Sequence, residues 1–442
     1  MLINKKGAIT LMNLRTKRIR GMQDVLPSES KKWQTIEKVM TEEASLHGFK
    51  LIRTPVLEHT ELFERSVGDT SDVVEKEMYT FKDKGDRSVT LRPEGTAGTL
   101  RAVLENGLHN LPMPLKLMYK SSCYRYEKPQ TGRYREFFQF GLEIFGSPSA
   151  SADAELIILA KSILERLQIQ NISLEINSIG CKNCRKKYSE AIINYFKSKI
   201  DSLCPTCQNR LEKNPLRILD CKNKVCSEIC ENAPIITDYI CEECSEHFET
   251  LQEYLKSQNI EFKINPKIVR GLDYYSKTVF EFVCDITEND KLTICGGGRY
   301  DGLSEILGGP QLCAIGLGFG LERILNIMET QKIMFPKDDS PKVYIASIGE
   351  NAKKKAFELC GILRTAAIFA EMDIVDRNIK SQMKYADKIG AEYVLVIGDD
   401  EIAENRAILK NMKTGKESKI SINEDFLNDF SGVDMEISSF RR

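Results

Sequence analysis

Histidine is scarce in this chain. His47, His59, His109 and His247 are the only four, and they lie far apart, in no metalloprotease or catalytic-triad pattern. There is one tryptophan. Neither sign of charge dominates: a formal net charge of -1 excludes a strongly basic protein, so any nucleic-acid contact must come from local patches. No apolar run approaches the roughly 20 residues that a membrane span needs. No Walker A sequence, long internal repeat or low-complexity tract occurs. The segment Met1–Gly21 has too short an apolar stretch for a secretory leader and no cleavage signal. A cytoplasmic protein with no membrane partner is therefore expected, with Met12 as an alternative start. What is present is ordinary globular material: 42% hydrophobic and 29% charged over 442 residues, enough for two or three domains.

Periodicity divides the chain. Ser28 to His47 reads as an amphipathic helix with Trp33, Ile36 and Ala44 near one stripe, Ser28 capping it and Gly48 ending it. Lys50 to Glu58 reads as an edge or interface strand because it carries Pro55. Ser88 to Arg92, Leu117 to Glu127, Phe137 to Phe145, Thr278 to Cys284 and Leu292 to Cys295 read as strands at hairpin-like spacing. Leu312 to Leu317 leads towards a helix from Leu321. Such a pattern predicts an α+β fold with a mixed, mostly antiparallel sheet. Between Cys181 and about Phe248 the texture turns helical, polar and rich in cysteine. After the connector QKIMFPKDDSPK, strands and helices alternate again and indicate a separate α/β unit.

The chemistry is concentrated in a few blocks. Arg270-Gly271-Leu272-Asp273-Tyr274-Tyr275 is followed by the glycine-lined turn Gly296-Gly297-Gly298-Arg299-Tyr300-Asp301. Arg92-Pro93-Glu94-Gly95-Thr96 and Tyr124-Arg125-Tyr126-Glu127 supply carboxylates and more guanidinium groups. Gly316-Leu317-Gly318-Phe319-Gly320-Leu321-Glu322-Arg323 opens what reads as a helix. Fixed guanidinium charge and closely approaching backbone suit an anionic ligand. The glycines of the last block do not have dinucleotide-fingerprint spacing. Ser28-x-x-Lys31 and Lys413-Thr414-Gly415 mimic penicillin-binding signatures, but the Ser-Asp-Asn element is missing.

This ordered set resembles the signature of histidyl-tRNA synthetases, within the class II aminoacyl-tRNA synthetases. The helix and Pro-bearing strand resemble the class II dimer motif. The resemblance implies a ligase that joins L-histidine to ATP and then to the 3′-terminal ribose of its tRNA, with Mg²⁺ accompanying ATP and a homodimer as the working unit. It implies residue roles. Arg125, Glu127, Arg133 and Arg323 would hold ATP. Glu94, Gly95, Thr96, Gln139, Glu143, Arg270, Tyr274, Tyr275 and Tyr300 would bind histidine. Arg270 and Arg125 would be catalytic, with Arg270 set beside the α-phosphate. Even spacing puts Gln139 and Glu143 on one face of a strand, and Gly141 between them leaves room for ligand. Lys128 and Gln130 would meet the tRNA acceptor end, where lysine keeps charge but not bidentate recognition. Taken one at a time, Arg125, Arg133 and Arg323 read more readily as surface or salt-bridge residues, and the alternative for Arg270 is a structural ion pair with Glu281 or Asp273. Paralogues that act as histidine-sensing regulatory subunits of ATP phosphoribosyltransferase are the alternative.

The implied organisation is a tail (1–14), a catalytic domain in two segments (15–180 and 259–330), a cysteine-rich insertion (181–258), a linker (331–341) and an anticodon-binding domain (342–442) carrying Lys380, Lys384, Lys388 and Lys410 as candidate phosphate contacts. Fourteen cysteines without an export signal point to thiols in a reducing compartment. Cys181-x-x-Cys184 and Cys204-x-x-Cys207 have zinc-ribbon spacing. If Cys181 and Cys184 belong to the catalytic framework, Cys204, Cys207, Cys241 and Cys244 are the candidate tetrathiolate. Buried reduced thiols are favoured over structural Zn²⁺, and no metal ligand is assigned.

Overall fold

The computed structural model describes residues 16–68, 71, 73–130, 132–219, 221, 223–268, 274–287 and 290–439. The expected catalytic Arg270 lies outside the described residues, as do Gly271, Leu272, Asp273 and the tail. The chain forms two compact units, residues 1–336 and 337–442.

In the first unit the strands are β1 (Lys50–Leu51), β2 (Leu57–His59), β3 (Tyr79–Lys82), β4 (Ser88–Leu91), β5 (Leu115–Tyr124), β6 (Glu136–Phe145), β7 (Ile172–Ser178), β8 (Lys263–Ile264), β9 (Ser276–Thr287), β10 (Asp290–Arg299) and β11 (Ala314–Gly320). Eight of them make one sheet in the order β1-β5-β6-β11-β10-β9-β7-β8, antiparallel except at its two edges, and β2-β4-β3 make a small separate sheet. The helices are α1 (Pro27–Leu46), α2 (Thr60–Val67), α3 (Thr96–Glu105), α4 (Ala150–Arg166), α5 (Lys182–Lys197), α6 (Pro205–Lys213), α7 (Lys224–Glu231), α8 (Glu242–Ser257), α9 (Leu303–Ile306) and α10 (Leu321–Thr330).

Two adjacent central strands explain how the sheet separates core from site. Successive side chains of a strand point to opposite faces. In β6, Phe140, Leu142 and Ile144 join the apolar core with Ile36 and Met40 of α1, Leu156 and Ile163 of α4 and Ile324 of α10. Ile315, Leu317 and Phe319 of β11 do the same. The other face of these strands carries Gln139, Gly141 and Glu143 beside Gly316, Gly318 and Gly320. Trp33 packs edge-on to Phe138 at 5.2 Å, seating α1 on the sheet.

Several sequence expectations shift. Helix α1 starts at Pro27 with Leu26 at the cap position, so Ser28 lies inside the first turn, where proline's missing N–H costs nothing. Pro55 breaks the expected strand Lys50–Glu58 into β1 and β2, which join different sheets. The glycines Gly296 to Gly298 lie within β10, not in a turn, and Gly316 to Gly320 lie within β11, with the helix beginning at Leu321. Glycine-rich stretches read as turns, but a paired strand accepts them where something bulky crosses its face.

Helices α5 to α7 enclose a small core of Tyr188, Ile192, Phe196, Leu211 and Ile218, whereas Phe248, Leu251 and Leu255 of α8 pack into the main core. A buried ion cluster anchors α8. Asp153 of α4 receives His247 Nε2 at 2.7 Å and the fully buried Arg299 guanidinium, which also donates to the carbonyls of Ser147 and Ser149.

The second unit has a five-stranded sheet in the order β13-β12-β14-β15-β16, formed by β12 (Val343–Ser347), β13 (Ala370–Met372), β14 (Tyr393–Ile397), β15 (Arg406–Asn411) and β16 (Glu417–Ser421). Its helices are α11 (Glu350–Thr365), α12 (Ile379–Lys388), α13 (Asp399–Glu404) and α14 (Phe426–Ser439). Lys380, Lys384 and Lys388 recur every fourth residue along α12 and are exposed, while Lys410 is engaged with Glu417 at 3.0 Å. No helix among the described residues is long and apolar enough to cross a membrane.

Candidate active site

On the non-core face of β6, Glu143 is completely buried. Its carboxylate accepts Thr96 Oγ1 at 2.8 Å, Tyr119 Oη at 3.2 Å and the Tyr300 hydroxyl. Burial pushes its pKa up from the usual 4.5 to about 8, against the opposing effect of the three hydroxyl donors and aided by the nearby Glu94 charge. Space for this carboxylate exists because β11 carries glycine beside it: a Cβ on Gly316 would lie 1.6 Å from Glu143 Oε2. One on Gly318 would lie 2.3 Å from Gln139 Nε2.

Gly141 has a different occupant from the one expected. The Tyr119 ring lies across it from β5, so close that a Cβ there would be 2.0 Å from Tyr119 Cζ. The same ring presses against Gly95. Tyr119 is thus a site residue that sequence reading missed. The available signal was a glycine inside a strand, which marks a close approach, but the intruding residue is set by β5–β6 register.

Glu94 is buried just before α3, whose cap residue Gly95 has no side chain to offer. Its two carboxylate oxygens accept the Thr96 N–H at 2.6 Å and the Ala97 N–H at 2.8 Å, satisfying two of the orphan donors of that helix end. Burial still raises its pKa. Gln139 Oε1 accepts the Gly95 N–H at 3.2 Å, tying β6 to the same helix end. Tyr274 sits 4.7 Å from Tyr275 and 5.5 Å from Tyr300, ring centre to ring centre, and all three are buried. Tyr275 also lines a cavity of about 330 Å³ together with Lys182, Arg185 and Arg217 of the helical insertion.

Further along the same face opens a cavity of about 820 Å³, lined among others by Arg125, Glu127, Arg133, Gln139, Glu281 and Arg323. Arg125 donates from Nε to the Pro93 carbonyl at 2.9 Å and stacks at 5.4 Å over Phe137. Arg323, in the first turn of α10, donates to the carbonyls of Thr293 at 2.7 Å and Gly132 at 3.4 Å. Arg133 meets Glu127 at 3.4 Å. Burial, then repulsion from Arg133 and Arg125, lowers the Arg323 pKa below the usual guanidinium value. The neutral carbonyls around Arg125 and Arg323 position these cations without cancelling their charge. Carboxylates such as Glu127 and Glu281 share the lining, so an anion would meet its guanidinium partners at Arg125 and Arg323.

Lys128 and Gln130 are exposed on the loop that ends in Arg133, and Gln130 and Arg133 exchange backbone hydrogen bonds of 3.1 and 2.9 Å. Gly132 holds a positive φ of 72° there, as a tight turn requires. Arg92, by contrast, is spent on structure: its guanidinium binds the carbonyls of Ser122, Thr54 and Pro55. Sequence reading also missed Glu322. This carboxylate accepts the Phe138 N–H at 2.8 Å, and burial raises its pKa to about 7.

The cysteines group differently from the expected tetrad. Cys181 and Cys184 join Cys241 and Cys244, while Cys204 and Cys207 join Cys221 and Cys226. Helix α8 carries Cys241 and Cys244 back beside the start of α5, so vicinal pairs distant in sequence become neighbours.

A mixed antiparallel sheet, with arginines at one end of its open face and a carboxylate pocket at the other, is the class II aminoacyl-tRNA synthetase arrangement. Within that class, the chain belongs to the histidyl-tRNA synthetase family: the family model described as Histidyl-tRNA synthetase matches residues 21–324, and the Anticodon binding domain model matches 342–426. A protein of Clostridium novyi (strain NT) named Histidine--tRNA ligase is 52% identical over 404 residues, covering 91% of this chain and 96% of its own. The crystal structure of apo S. aureus histidyl-tRNA synthetase matches with a TM-score of 0.80 at 38% identity, covering 94% of this chain and 99% of that one. A Bacillus halodurans structure titled as an ATP phosphoribosyltransferase regulatory subunit/histidyl-tRNA synthetase shares the fold, with a TM-score of 0.60 at 22% identity over 87% of this chain and 99% of that one.

Proposed function

We infer that the chain is a histidine–tRNA ligase. In the first step the histidine carboxylate attacks the α-phosphorus of ATP, forming histidyl-adenylate and releasing pyrophosphate. In the second, the 3′-terminal ribose hydroxyl of the tRNA attacks the adenylate carbonyl and AMP leaves. The observation that carries this reading is the placement of Arg125, Arg133 and Arg323 around one cavity on the sheet face that also carries Gln139 and Glu143.

The assignment of roles follows from what each end can do. Arg125, Arg133 and Arg323 hold the phosphates, with Glu127 beside them, and the guanidinium of Arg125 meets the charge that develops on the α-phosphoryl oxygens. Glu94, Thr96 and Gln139 receive the α-ammonium, and Glu143 with the tyrosines Tyr274, Tyr275 and Tyr300 reads the imidazole. Arg270 completes the α-phosphate environment. Mg²⁺ accompanies ATP, and the carboxylates Glu127 and Glu281, both lining the cavity, are the oxygen donors that would hold it.

Lys128 and Gln130 face the acceptor end of the tRNA, while Lys380, Lys384 and Lys388 of the 342–442 domain offer its stem an exposed cationic row. A second copy of the chain is the natural partner of the exposed Leu46, Leu51, Val56 and Leu57, which cluster in sequence where α1 meets β1 and β2. The domain division is a catalytic domain (15–180 and 259–330), an insertion (181–258), a linker (331–341) and the C-terminal domain, and the enzyme works in the cytoplasm.

Histidine-dependent exchange of labelled pyrophosphate into ATP tests the reading. Exchange is expected with the wild-type chain and should fall by about a hundred- to a thousand-fold in Arg270→Ala, the usual cost of one transition-state donor. A chain that binds histidine without exchange would be a regulator and not a ligase.

A further inference from the structure

Eight of the fourteen cysteines fall into two sets of four, each with all its sulfurs within 4.8 Å of one another. We propose that the helical insertion carries two structural zinc ions, one held by Cys181, Cys184, Cys241 and Cys244 and the other by Cys204, Cys207, Cys221 and Cys226. The proposal does not depend on the ligase reading.

Distances support a shared ion. Zinc–thiolate bonds of about 2.3 Å in a tetrahedron place the sulfurs ~3.8 Å apart. Cys181 and Cys184 are separated by 3.5 Å, and Cys204 and Cys221 by 3.9 Å. A disulfide would need about 2.05 Å, and every one of these cysteines is free.

The backbone supports it independently. Cys181 is the cap residue of α5, Cys241 of α8 and Cys204 of α6, so each Cys-x-x-Cys puts both sulfurs at a helix N-terminus. The positive end of a helix favours thiolate over thiol. Four thiolates around one divalent ion leave excess negative charge, which these ends offset. Backbone N–H groups also point at sulfur within each set: Cys241 N–H at Cys184 Sγ, 3.1 Å, and Cys204 N–H at Cys226 Sγ, 3.2 Å. Asn223 N–H meets Cys221 Sγ at 3.5 Å. Such donors orient and stabilise ligating sulfur. Among the described residues, none of the other six cysteines joins such a set.

Four protein ligands leave no open position for a substrate, and soft thiolates select zinc over magnesium or calcium, so the role is structural. The first ion would join the start of α5 to the start of α8, where the insertion leaves and rejoins the body. The second would fix α6 against α7, and its ligand Cys221 lines the 820 Å³ cavity with Arg217. Together they would hold a segment with a small apolar core in one shape beside the substrate.

The test is elemental analysis of the full-length chain, purified in reducing buffer without chelator after growth in zinc-supplemented medium. About two zinc ions per chain are expected, falling to about one in Cys184→Ser and to about one in Cys207→Ser. Because a variant could fail to fold, alkylation of the native wild-type chain provides a second reading. The eight clustered thiols should be protected until a strong chelator strips the metal, whereupon they are alkylated as zinc appears in solution. A chain with no zinc, with iron in its place, or with disulfides at these positions would overturn the proposal. Retention at one set alone, identified by which variant loses metal, would overturn the assignment of the other.

Discussion

The two ends of the open sheet face handle polar groups in opposite ways. At the Glu143 end the Glu143 carboxylate is sealed from water beside the buried Glu94 and held by three hydroxyl groups, and burial drives it towards its neutral form. At the Arg323 end three guanidinium groups surround an open cavity of about 820 Å³, and backbone carbonyls position two of them. A buried acceptor whose partners must all be satisfied discriminates between ligands by shape and hydrogen-bond pattern, because a wrong ligand leaves it unpaired. A cluster of permanent cations discriminates by charge and stabilises charge that develops during reaction. On the proposed roles, one end would supply choice and the other rate.

Substitutions should separate these functions. Glu143→Leu is expected to have the largest effect, about a 10⁴-fold loss of kcat/KM for histidine in pyrophosphate exchange, with ATP affinity little changed, measured by varying each substrate in turn. Loss of ATP affinity to the same extent would erase the distinction between the ends. Arg323→Ala should lower kcat/KM by about 10²–10³-fold while leaving histidine binding, followed by calorimetry, near the wild-type value.

Gly316→Ala forces a methyl group against the Glu143 carboxylate, and should destabilise the fold by ~1–3 kcal/mol in urea unfolding as well as weaken histidine binding. Tyr119→Phe removes one of three donors to Glu143 and should cost about 1 kcal/mol of stability.

The pH dependence follows from the same burial. In the free protein Glu143 has a pKa of about 8 against 4.5 when exposed, so between these values the folded state binds the extra proton. Its contribution to stability is therefore most favourable at low pH and declines as pH rises from about 4.5 to 8. Thermal unfolding across this range should show that slope, and Glu143→Gln should flatten it. If the imidazole N–H of bound histidine stabilises the carboxylate, binding at pH 7.5 should release up to about one proton, read from calorimetry in buffers of different ionisation enthalpy.

Much of this arrangement was legible beforehand. Arg125 and Arg133 on the β5–β6 connection and Arg323 at the start of α10 converge on one cavity, as the order of the arginine-bearing blocks suggests. The even spacing of Gln139 and Glu143 did place both on one face of β6, since strand periodicity is a local property. What Gly141 and Gly316 make room for was not legible. Gly141 accommodates the Tyr119 ring, and Gly316 accommodates the Glu143 carboxylate, because register across β5, β6 and β11 brings these partners together. The cysteines show the same limit: Cys-x-x-Cys pairs mark helix starts, but which pairs meet depends on how α5 and α8 pack.

Residue order alone established a ligase of the histidyl-tRNA synthetase family, because the blocks carrying its chemistry are short, contiguous and distinctive. The alternation of apolar and polar residues that builds the sheet is just as local. Partnership was left to the tertiary structure: which side chain fills each glycine gap, which carboxylate is dried until it prefers its proton, and which four thiols converge. Those outcomes depend on contacts between segments far apart along the chain, and burial sets electrostatic strength only after such segments have come together.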